Sequence, residues 1–333
     1  MTNFADRIIE AVKQKQSHVC VGLDPRWKRI PEPIRKEAIS EEGRTDRAAA
    51  RAIIEFNRIL IEAVKDKVVA VKPQIAFYEL YRQEGMRAFW KTVSLAREHG
   101  LLVIGDIKRS DIGTTAEAYA RTYLMDSRES SFPFAASEKN RVGTDAVTLN
   151  PYFGRDGIEP FLDRCLNTDK DEERETGRGI FVLVRTSNPS AGEIQSLPLE
   201  NNYSQDKNSD VCSVVARLVA ELGGGLRGKY GYSSAGAVVA ITDGKETAGL
   251  RQIMSKSYFL CPGYGAQGGG ADDVVPAFNS DGLGAIINSS RGINYAREQD
   301  RFSDEPGKAA REAAEKMRSE INYSLKKADK IAW

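Results

Sequence analysis

The stretch 85–108, GMRAFWKTVSLAREHGLLVIGDIK, contains the two kinds of element from which the whole chain is built. Its first part, GMRAFWKTVSLAREHG (85–100), has apolar residues at every third or fourth position and ends in glycine, which is typical of an amphipathic helix. Its second part, LLVIGDIK (101–108), is apolar without alternation, as expected for a parallel strand covered on both faces. The stretch therefore predicts a helix that leads into a buried parallel strand.

Seven further runs resemble LLVIGDIK and complete a regular series. They are HVCVGLD (18–24), VVAVKP (68–73), DAVTLN (145–150), IFVLVR (180–185), GAVVAI (236–241), YFLCPG (258–263) and LGAIINSS (283–290). Amphipathic segments lie between the runs, such as DRAAARAIIEFNRILIEAVKD (46–66), and GKAAREAAEKMRSEINYSLKKADK (307–330) follows the last run. Eight alternations of strand and helix predict a closed (β/α)8 TIM barrel, which we expect to form a single catalytic domain over residues 1–333.

Three predicted connections, 25–45, 125–143 and 186–212, are longer than the few residues usual in such units. They follow strands 1, 3 and 5, so we expect them at the carboxyl-terminal face of the barrel. Active sites of TIM barrels lie on that face. The loops either cover such a site or are tolerated surface insertions, and the sequence leaves both interpretations open.

The charge balance and the histidines limit the functions open to the chain. Lys+Arg total 48 against 47 for Asp+Glu, and the net charge of +1 gives no overall field to attract nucleic acid or an anionic membrane. No apolar run approaches membrane-spanning length, and the charged stretch 1–16 is unlike a signal peptide. With only His18 and His99, a His-rich metal site is excluded and a Ser-His-Asp hydrolase is disfavoured. We therefore expect catalysis to rest on carboxylates and lysines.

Cysteine usage indicates the compartment. The four cysteines form no C-x-x-C pair, and they are Cys20, Cys165, Cys212 and Cys261. Reduced structural thiols are the simpler interpretation of such widely spaced residues. We therefore expect a cytoplasmic protein.

The segment GDIKRSDIGTT (105–115) carries the strongest chemical signal. Asp106 and Lys108 lie two residues apart near the end of a predicted strand, so both side chains point to the same, inner face. Asp111 follows just beyond the strand. A D-x-K-x-x-D string on its own is usually a solvated charge run, so its context has to decide.

Two other strand ends supply that context. Lys72 ends the second predicted strand and Asp24 ends the first, so lysines and carboxylates converge on one pocket floor. Buried charges are tolerated when they alternate in sign and bond to each other. The ionic chain that we predict runs Lys72–Asp106–Lys108–Asp111.

The glycine-rich segment CPGYGAQGGG (261–270) contains Gly263-x-Gly265-x-x-Gly268. A dinucleotide-binding fingerprint would need an acidic residue at the end of the following strand, whereas Asp281 precedes that strand, so we reject this interpretation. In a barrel the same glycines form the loop after strand 7.

The segment NSSRG (288–292) forms the loop after strand 8, and the loops after strands 7 and 8 are the usual phosphate site of a TIM barrel. Glycines allow backbone N–H groups to approach phosphate oxygens, and Arg291 supplies a forked, permanently charged donor. The alternative is a tight turn beside a surface arginine.

Taken together, the motifs resemble one family in both order and spacing. They are VGLDP (21–25), VKPQ (71–74), D-x-K-x-x-D-I-G-x-T (106–115), PGYGAQGG (262–269) and SRG (290–292), and they resemble the orotidine 5′-monophosphate decarboxylases over nearly the whole chain. The long loops resemble the longer bacterial form of that family. The resemblance implies decarboxylation of orotidine 5′-monophosphate to uridine 5′-monophosphate, the last step of de novo UMP synthesis, with no cofactor and no metal.

The resemblance also implies roles for individual residues around the sugar and the reacting carbon. Asp24 and Lys72 would hold the ribose hydroxyls. Asp106, Lys108 and Asp111 would surround C6 of the pyrimidine and its carboxylate, with the ammonium of Lys108 delivering the proton that replaces CO₂.

Further roles follow for the other side of the substrate. Gln267 would bridge the pyrimidine and the phosphate, while Gly268, Arg291 and nearby backbone amides would hold the phosphate. A serine after strand 5 contacts the base in relatives, and TSN (186–188) offers Ser187, with Thr186 as its neighbour.

The D-I-G-x-T pattern further implies a homodimer. By resemblance, Asp111 and Thr115 would reach into the active site of the neighbouring subunit.

Two alternatives stay open at this stage. One is a Mg²⁺-dependent sugar-phosphate decarboxylase or aldol-type enzyme of the same barrel superfamily, although the I-G-x-T tail and the glutamine-bearing glycine loop argue against it. The other is a catalytically silent barrel that binds pyrimidine nucleotides.

Overall fold

Eight parallel strands close into a barrel in the computed structural model, which describes residues 3–125, 143–166, 177–199, 209–241, 243–265, 269–299 and 303–333. Neighbouring strands pair in sequence order, and the last strand pairs with the first. The strands are β1 (Val19–Leu23), β2 (Ala70–Pro73), β3 (Leu102–Arg109), β4 (Ala146–Leu149), β5 (Gly179–Arg185), β6 (Ser233–Val239), β7 (Ser257–Cys261) and β8 (Ala285–Ser289). The predicted (β/α)8 barrel is confirmed.

Helices surround the barrel. They are α1 (Phe4–Lys15), α2 (Glu32–Glu42), α3 (Asp46–Val64), α4 (Ala76–Glu79), α5 (Arg82–Glu98), α6 (Gly113–Tyr123), α7 (Arg155–Leu162), α8 (Gly192–Gln195), α9 (Val211–Leu222), α10 (Gly244–Ile253), α11 (Arg291–Asn294) and α12 (Pro306–Lys327). Local capping fixes several starts, since the side chains of Thr45 and Asp210 accept hydrogen bonds from backbone amides in the first turns of α3 and α9.

One predicted connection contains a helix. The sequence predicted a long connection over 25–45, but α2 occupies Glu32–Glu42 within it. Ala38 is the one fully buried residue of α2, so the segment lacks the apolar stripe by which a helix is recognised from sequence. The connection 125–143 was expected at the carboxyl-terminal face, but it follows α6 and leads into β4, so its described ends lie at the amino-terminal end of the barrel. The remainder of 125–143 and part of 186–212 fall outside the described residues.

Helix α1 closes the amino-terminal end of the barrel. Phe4, Ile8 and Ile9 are fully buried and pack in one cluster with inward-facing strand residues such as Ile104 and Phe181. The rings of Phe4 and Phe181 meet edge to face at 6.0 Å between centroids. Because side chains fill this end, the open mouth at the carboxyl ends of the strands is left for a ligand.

A buried ion cluster stabilises the same closed end. Asp145, at the start of β4, accepts from Arg7 at 2.8 Å and from Arg97 at 3.1 Å, with Arg178 at 3.6 Å. Burial alone would raise the pKa of Asp145, but the three guanidinium groups outweigh it and lower the pKa.

Candidate active site

Asp106 is the centre of a hydrogen-bonded charge cluster at the mouth of the barrel. The Lys72 ammonium donates to Asp106 Oδ2 at 2.5 Å, and the Lys108 ammonium donates to Oδ1. Two neutral groups complete the arrangement, since the Thr148 hydroxyl donates to Oδ1 at 2.9 Å and the Gln74 amide donates to Oδ2 at 3.0 Å. Both oxygens of this buried carboxylate are therefore held by two donors each.

Lys108 reaches Asp106 from a strained backbone. The pairing of β3 with β4 shifts register between Gly105 and Arg109, and Lys108 has a φ of 47°, in the left-handed region. Its backbone N–H donates to Thr148 Oγ1 at 3.1 Å, which fixes this bulge against β4. A non-glycine residue held in this region costs about 1–3 kcal/mol, and such strain is typical of functional sites. The bulge leaves the Lys108 side chain 43% exposed at the mouth while its ammonium still contacts Asp106.

The pKa values indicate that the buried part of the cluster stays ionised. Burial alone would raise the pKa of Asp106, but Lys72 and Lys108 outweigh this and hold it well below its usual range. Burial alone would lower the pKa of Lys72, but Asp106 and Asp24 outweigh this and raise it. Two ammonium groups on one carboxylate leave one positive charge in excess within this triad.

Asp111 stands apart from this cluster within one chain. Lys108 and Asp111 form no ion pair among the described residues of the chain, so the part of the predicted order that one chain shows is Lys72–Asp106–Lys108. Asp111 lies on the turn before α6, where its Oδ1 accepts from the backbone N–H of Ile112 at 2.9 Å, so local turn geometry engages the carboxylate. Thr115 lies exposed in the first turn of α6.

Two buried oxygen atoms near the cluster have no hydrogen-bond partner among the described residues. They are Asp24 Oδ1, in the loop after β1, and Asn288 Oδ1, on β8. A Cβ added at Gly22 would lie 3.2 Å from Asn288 Oδ1, which places this amide beside β1, two residues before Asp24. Buried polar atoms are normally satisfied, so these oxygens are suited to accept from a ligand's hydroxyl groups.

Sequence reasoning missed three polar residues of the site. Gln74 lies two positions after Lys72, Thr148 lies within DAVTLN, and Asn288 lies within LGAIINSS. Each follows the two-residue alternation that points into a barrel, which is a signal that could have identified them.

The loops after β7 and β8 meet at a separate cavity of about 830 Å³. Gly265, Gly269 and Arg291 line it together with residues of α12. Lys72, Asp106 and Lys108 do not line it. Ionisable groups converge at the charge cluster, whereas glycines of the loop after β7 and Arg291 line this cavity. Gln267 and Gly268 lie outside the described residues.

The loop after β5 distinguishes Ser187 from its neighbour. The Thr186 hydroxyl donates to Asn188 at 2.6 Å and accepts from Gln195 at 2.7 Å. The half-buried Ser187 makes no side-chain hydrogen bond within the described residues, so its hydroxyl is the more available for a ligand.

Metal-ligating clusters and membrane-spanning helices are both absent from the described ranges. Within them, no group of three or more His, Cys, Asp or Glu side chains is arranged to hold a metal ion. None of the described helices is long and apolar enough to cross a membrane.

Comparison with known sequences shows the family to which the chain is similar. The model of the Orotidine 5′-phosphate decarboxylase / HUMPS family matches residues 17–302. The chain is 41% identical over 303 residues to the orotidine 5′-phosphate decarboxylase of Rhodopirellula baltica, covering 91% of this chain and 92% of that protein. It is 36% identical over 325 residues to the enzyme of the same name from Caldicellulosiruptor saccharolyticus, covering 98% of this chain and all of that protein.

Solved structures agree with this result. A putative orotidine-monophosphate-decarboxylase from Toxoplasma gondii superimposes with a TM-score of 0.74 at 26% identity, covering 98% of this chain and 99% of that one. A putative orotidine 5′-phosphate decarboxylase from Streptomyces avermitilis superimposes with a TM-score of 0.72 at 28% identity, covering 98% and 97% of the two chains.

Proposed function

The chain belongs to the Orotidine 5′-phosphate decarboxylase / HUMPS family, and on this basis we propose that its Lys72–Asp106–Lys108 cluster decarboxylates orotidine 5′-phosphate. The product is uridine 5′-monophosphate, in pyrimidine biosynthesis, and the enzyme is a carboxy-lyase. The observation that carries the site assignment is Asp106, held between two ammonium groups at the mouth of a TIM barrel. The same observation favours a cofactor-free reaction, because lysines and neutral donors already engage both oxygens of this carboxylate.

Lys108 stabilises the developing negative charge and acts as the proton donor. When the bond between C6 and the carboxylate breaks, CO₂ leaves and the electron pair stays on C6 in the plane of the ring, where the ring does not delocalise it simply. The ammonium of Lys108 stabilises this charge and transfers a proton to C6, and the neutral amine then regains a proton from solvent. The exposure of Lys108 at the barrel mouth allows both the contact and the reprotonation.

Asp106 keeps the ammonium of Lys108 in position. It also places a negative charge close to the substrate carboxylate, and this repulsion is relieved when the carboxylate departs as neutral CO₂. Thr148 and Gln74 fix the orientation of Asp106 through hydrogen bonds of 2.9 and 3.0 Å.

The rest of the substrate is held by the surrounding loops. Asp24 and Lys72 bind the ribose hydroxyls, an assignment that is supported by the unsatisfied buried oxygen of Asp24. Ser187 contacts the pyrimidine. Arg291 holds the phosphate with backbone amides of the glycine loop, to which Gln267 and Gly268 belong.

The active unit is a homodimer in which Asp111 and Thr115 enter the partner's site. Asp111 is free of Lys108 of its own chain within the described residues, which is consistent with a role in the other pocket. We place the enzyme in the cytoplasm.

The surface beside Asp111 supports this dimer. Exposed apolar side chains follow the ends of β2, β3 and β4, namely Leu80 (68% exposed), Ile112 (53%), Tyr152 (84%) and Phe153 (50%). A Cβ added at Gly157 would lie 3.1 Å from both the Asp111 carbonyl oxygen and Phe153 Cβ, so Asp111 adjoins this surface. Clustered apolar side chains on one face are typical of an interface, and a second copy of the chain would cover them.

The reaction is tested by the loss of orotidylate absorbance with purified protein in the presence of a chelator. We expect full activity, and we expect Lys108→Ala to lower kcat by several orders of magnitude with the circular dichroism spectrum unchanged. Activity that depends on added Mg²⁺ would instead favour a metal-dependent sugar-phosphate enzyme. Uridine monophosphate binding without turnover would favour a silent nucleotide-binding barrel. A Lys108→Ala variant with a tenth of wild-type activity would contradict the assignment of the proton donor.

The dimer is tested by mixing two inactive variants, Lys108→Ala and Asp111→Ala. In a mixed dimer one pocket collects both defects, while the other receives an intact Lys108 from one chain and an intact Asp111 from its partner. Random exchange makes roughly half of the dimers mixed, so we expect about a quarter of wild-type activity. Native mass spectrometry verifies that mixed dimers form. No recovery in a verified mixture would show that Asp111 acts within its own chain.

A further inference from the structure

The glycine loop after β7 is tied to the last helix of the chain at both of its ends. At the first end, the Tyr264 hydroxyl donates to Glu320 Oε2 of α12 at 2.7 Å. At the other end, the Ser324 hydroxyl of α12 donates to Asp272 Oδ1 at 2.7 Å. Glu320 and Ser324 are four residues apart, so one face of α12 holds both ends of the loop.

The stem of the loop is also closed on itself. Tyr264 and Gly269 form a bridge, and the Gly265 N–H donates to the Gly269 carbonyl at 2.8 Å. Gly265 has a φ of 73°, a conformation that glycine adopts without strain. The Gly270 N–H donates to the Asp273 carboxylate at 2.7 Å, which fixes the chain just beyond the stem.

Helix α12 is a rigid support for this stem. The adjoining face of the helix packs in the core through fully buried residues, including Ala310, Ala314, Ile321 and Leu325. The helix backbone at Glu320 therefore cannot shift without disturbing the core. The hydrogen bond from Tyr264 to Glu320 restrains Tyr264 in the same way. Burial raises the pKa of Tyr264, so its hydroxyl remains protonated and able to donate.

We propose that Tyr264 and Glu320 form a positioning pair. The pair holds the stem of the glycine loop in the position from which Gly265, Gly269 and Arg291 contact the phosphate of the substrate. This inference rests on the proposed phosphate site. Neither residue of the pair touches the reacting carbon. Their contribution lies in pre-organisation, because a stem that is already ordered loses less conformational entropy when a phosphate monoester binds. Tyr264, Glu320 and Arg291 line the same cavity, which links the pair to that site.

The experiment compares steady-state kinetics on orotidine 5′-phosphate and on orotidine, which lacks the phosphate. Tyr264→Phe and Glu320→Ala should each raise KM for the phosphorylated substrate about tenfold, which corresponds to about 1.4 kcal/mol, and should leave kcat nearly unchanged. Neither should alter kcat/KM for orotidine. Glu320→Gln retains an amide oxygen that accepts from Tyr264 and should restore most of the wild-type KM. The double variant should have the same KM as either single variant, because each single variant already removes the one hydrogen bond between Tyr264 and Glu320.

Glu315→Ala is the matched control. It makes the same change as Glu320→Ala on the same helix, but Glu315 does not line the cavity, and its carboxylate pairs with Lys67 at 3.3 Å. We expect wild-type kinetics on both substrates.

Arg291→Ala tests the phosphate site separately from the positioning pair. If it raises KM for the phosphorylated substrate while Tyr264→Phe and Glu320→Ala do not, the positioning pair is wrong and the phosphate site stands. If Arg291→Ala has no effect on KM, the phosphate site is wrong and the positioning pair falls with it. Equal losses on both substrates in Tyr264→Phe and Glu320→Ala would also overturn the proposal, since they would indicate a general structural role.

Discussion

Replacing Asp106 with asparagine keeps the shape of the side chain and removes the charge that balances Lys72. The Lys72 side chain is 8% exposed and its ammonium lies 2.5 Å from Asp106 Oδ2. Breaking a buried ion pair by removing one partner costs about 3–5 kcal/mol. Because the asparagine side chain would still offer an acceptor oxygen and Asp24 still raises the pKa of Lys72, we expect Asp106→Asn to lower the free energy of unfolding at pH 7 by about 3 kcal/mol, at the lower end of that range.

The loss should depend on pH in a defined direction. In the wild type, Asp106 and Asp24 raise the pKa of Lys72 against the effect of burial, so the ammonium stabilises the fold up to the unfolded pKa near 10.5 and its contribution is lost only above that value. Without Asp106, desolvation by burial outweighs the remaining effect of Asp24, so the pKa of Lys72 falls below its unfolded value. The unfolded chain then binds the proton more tightly than the folded chain does, and the stability of the variant rises as the pH approaches 10. The difference in unfolding free energy between the wild type and Asp106→Asn should therefore decrease between pH 7 and pH 10.

Urea unfolding followed by tryptophan fluorescence at pH 7 and pH 9.5 measures both effects. Asp163→Asn is the control, since it makes the same change at an exposed aspartate and should alter stability by less than about 0.5 kcal/mol. The double variant Lys72→Met/Asp106→Asn should lose less stability than the sum of the two single variants, because it leaves no uncompensated ammonium on β2. An Asp106→Asn protein as stable as the wild type, or fully additive losses, would refute the buried ion pair.

Two further predictions concern the closed end of the barrel. His18 is fully buried between the rings of Phe278 and Trp333, and burial lowers its pKa from 6.5 to about 3. The unfolded chain therefore binds the proton more readily between these pH values, and the free energy of unfolding should fall by about 3 kcal/mol from pH 7 to pH 4.5 because of His18. In urea unfolding experiments, His18→Phe should lack this part of the pH dependence. An equal dependence of the unfolding free energy on pH in both proteins would contradict the assignment. Gly179→Ala should lower the thermal midpoint at a cost of about 1–3 kcal/mol, because its Cβ would lie 2.0 Å from the Phe4 ring. Gly249→Ala, in α10 with no neighbour within 4 Å, should leave the midpoint unchanged or slightly higher, and an equal loss in both variants would argue against the packing of α1.

The strands were predictable because a parallel strand in a barrel is buried on both faces. Each predicted run overlaps an observed strand, with boundaries that differ by at most a few residues, as in 236–241 against Ser233–Val239. Helices with a buried stripe were predictable for the same reason, and α3 begins at the Thr45 cap. Helix α2 was missed because it packs against α3 without an apolar stripe in its own sequence.

Strand alternation predicted which side chains of the site face inward, and it predicted nothing beyond that. Alternation places Asp106 and Lys108 on one face, and both contact each other. The register shift between β3 and β4 arises from long-range pairing, so local sequence contains no signal for the left-handed φ of Lys108 or for the separation of Asp111 from the chain of charges. For Asn288, alternation indicates an inward-facing side chain, but its position beside Gly22 depends on the register of β8 against β1.

In the proposed reaction, the position of Lys108 favours the transition state over the bound substrate. When CO₂ leaves, the charge of the substrate carboxylate moves onto C6, within reach of the ammonium of Lys108. Because C6 holds the charge in a smaller volume than the two carboxylate oxygens do, a fixed ammonium stabilises the carbanion more than the ground state, and this difference is what accelerates the step. The bulge at Lys108 supports this role, since it brings the ammonium to the barrel mouth while Asp106 prevents it from turning away into solvent.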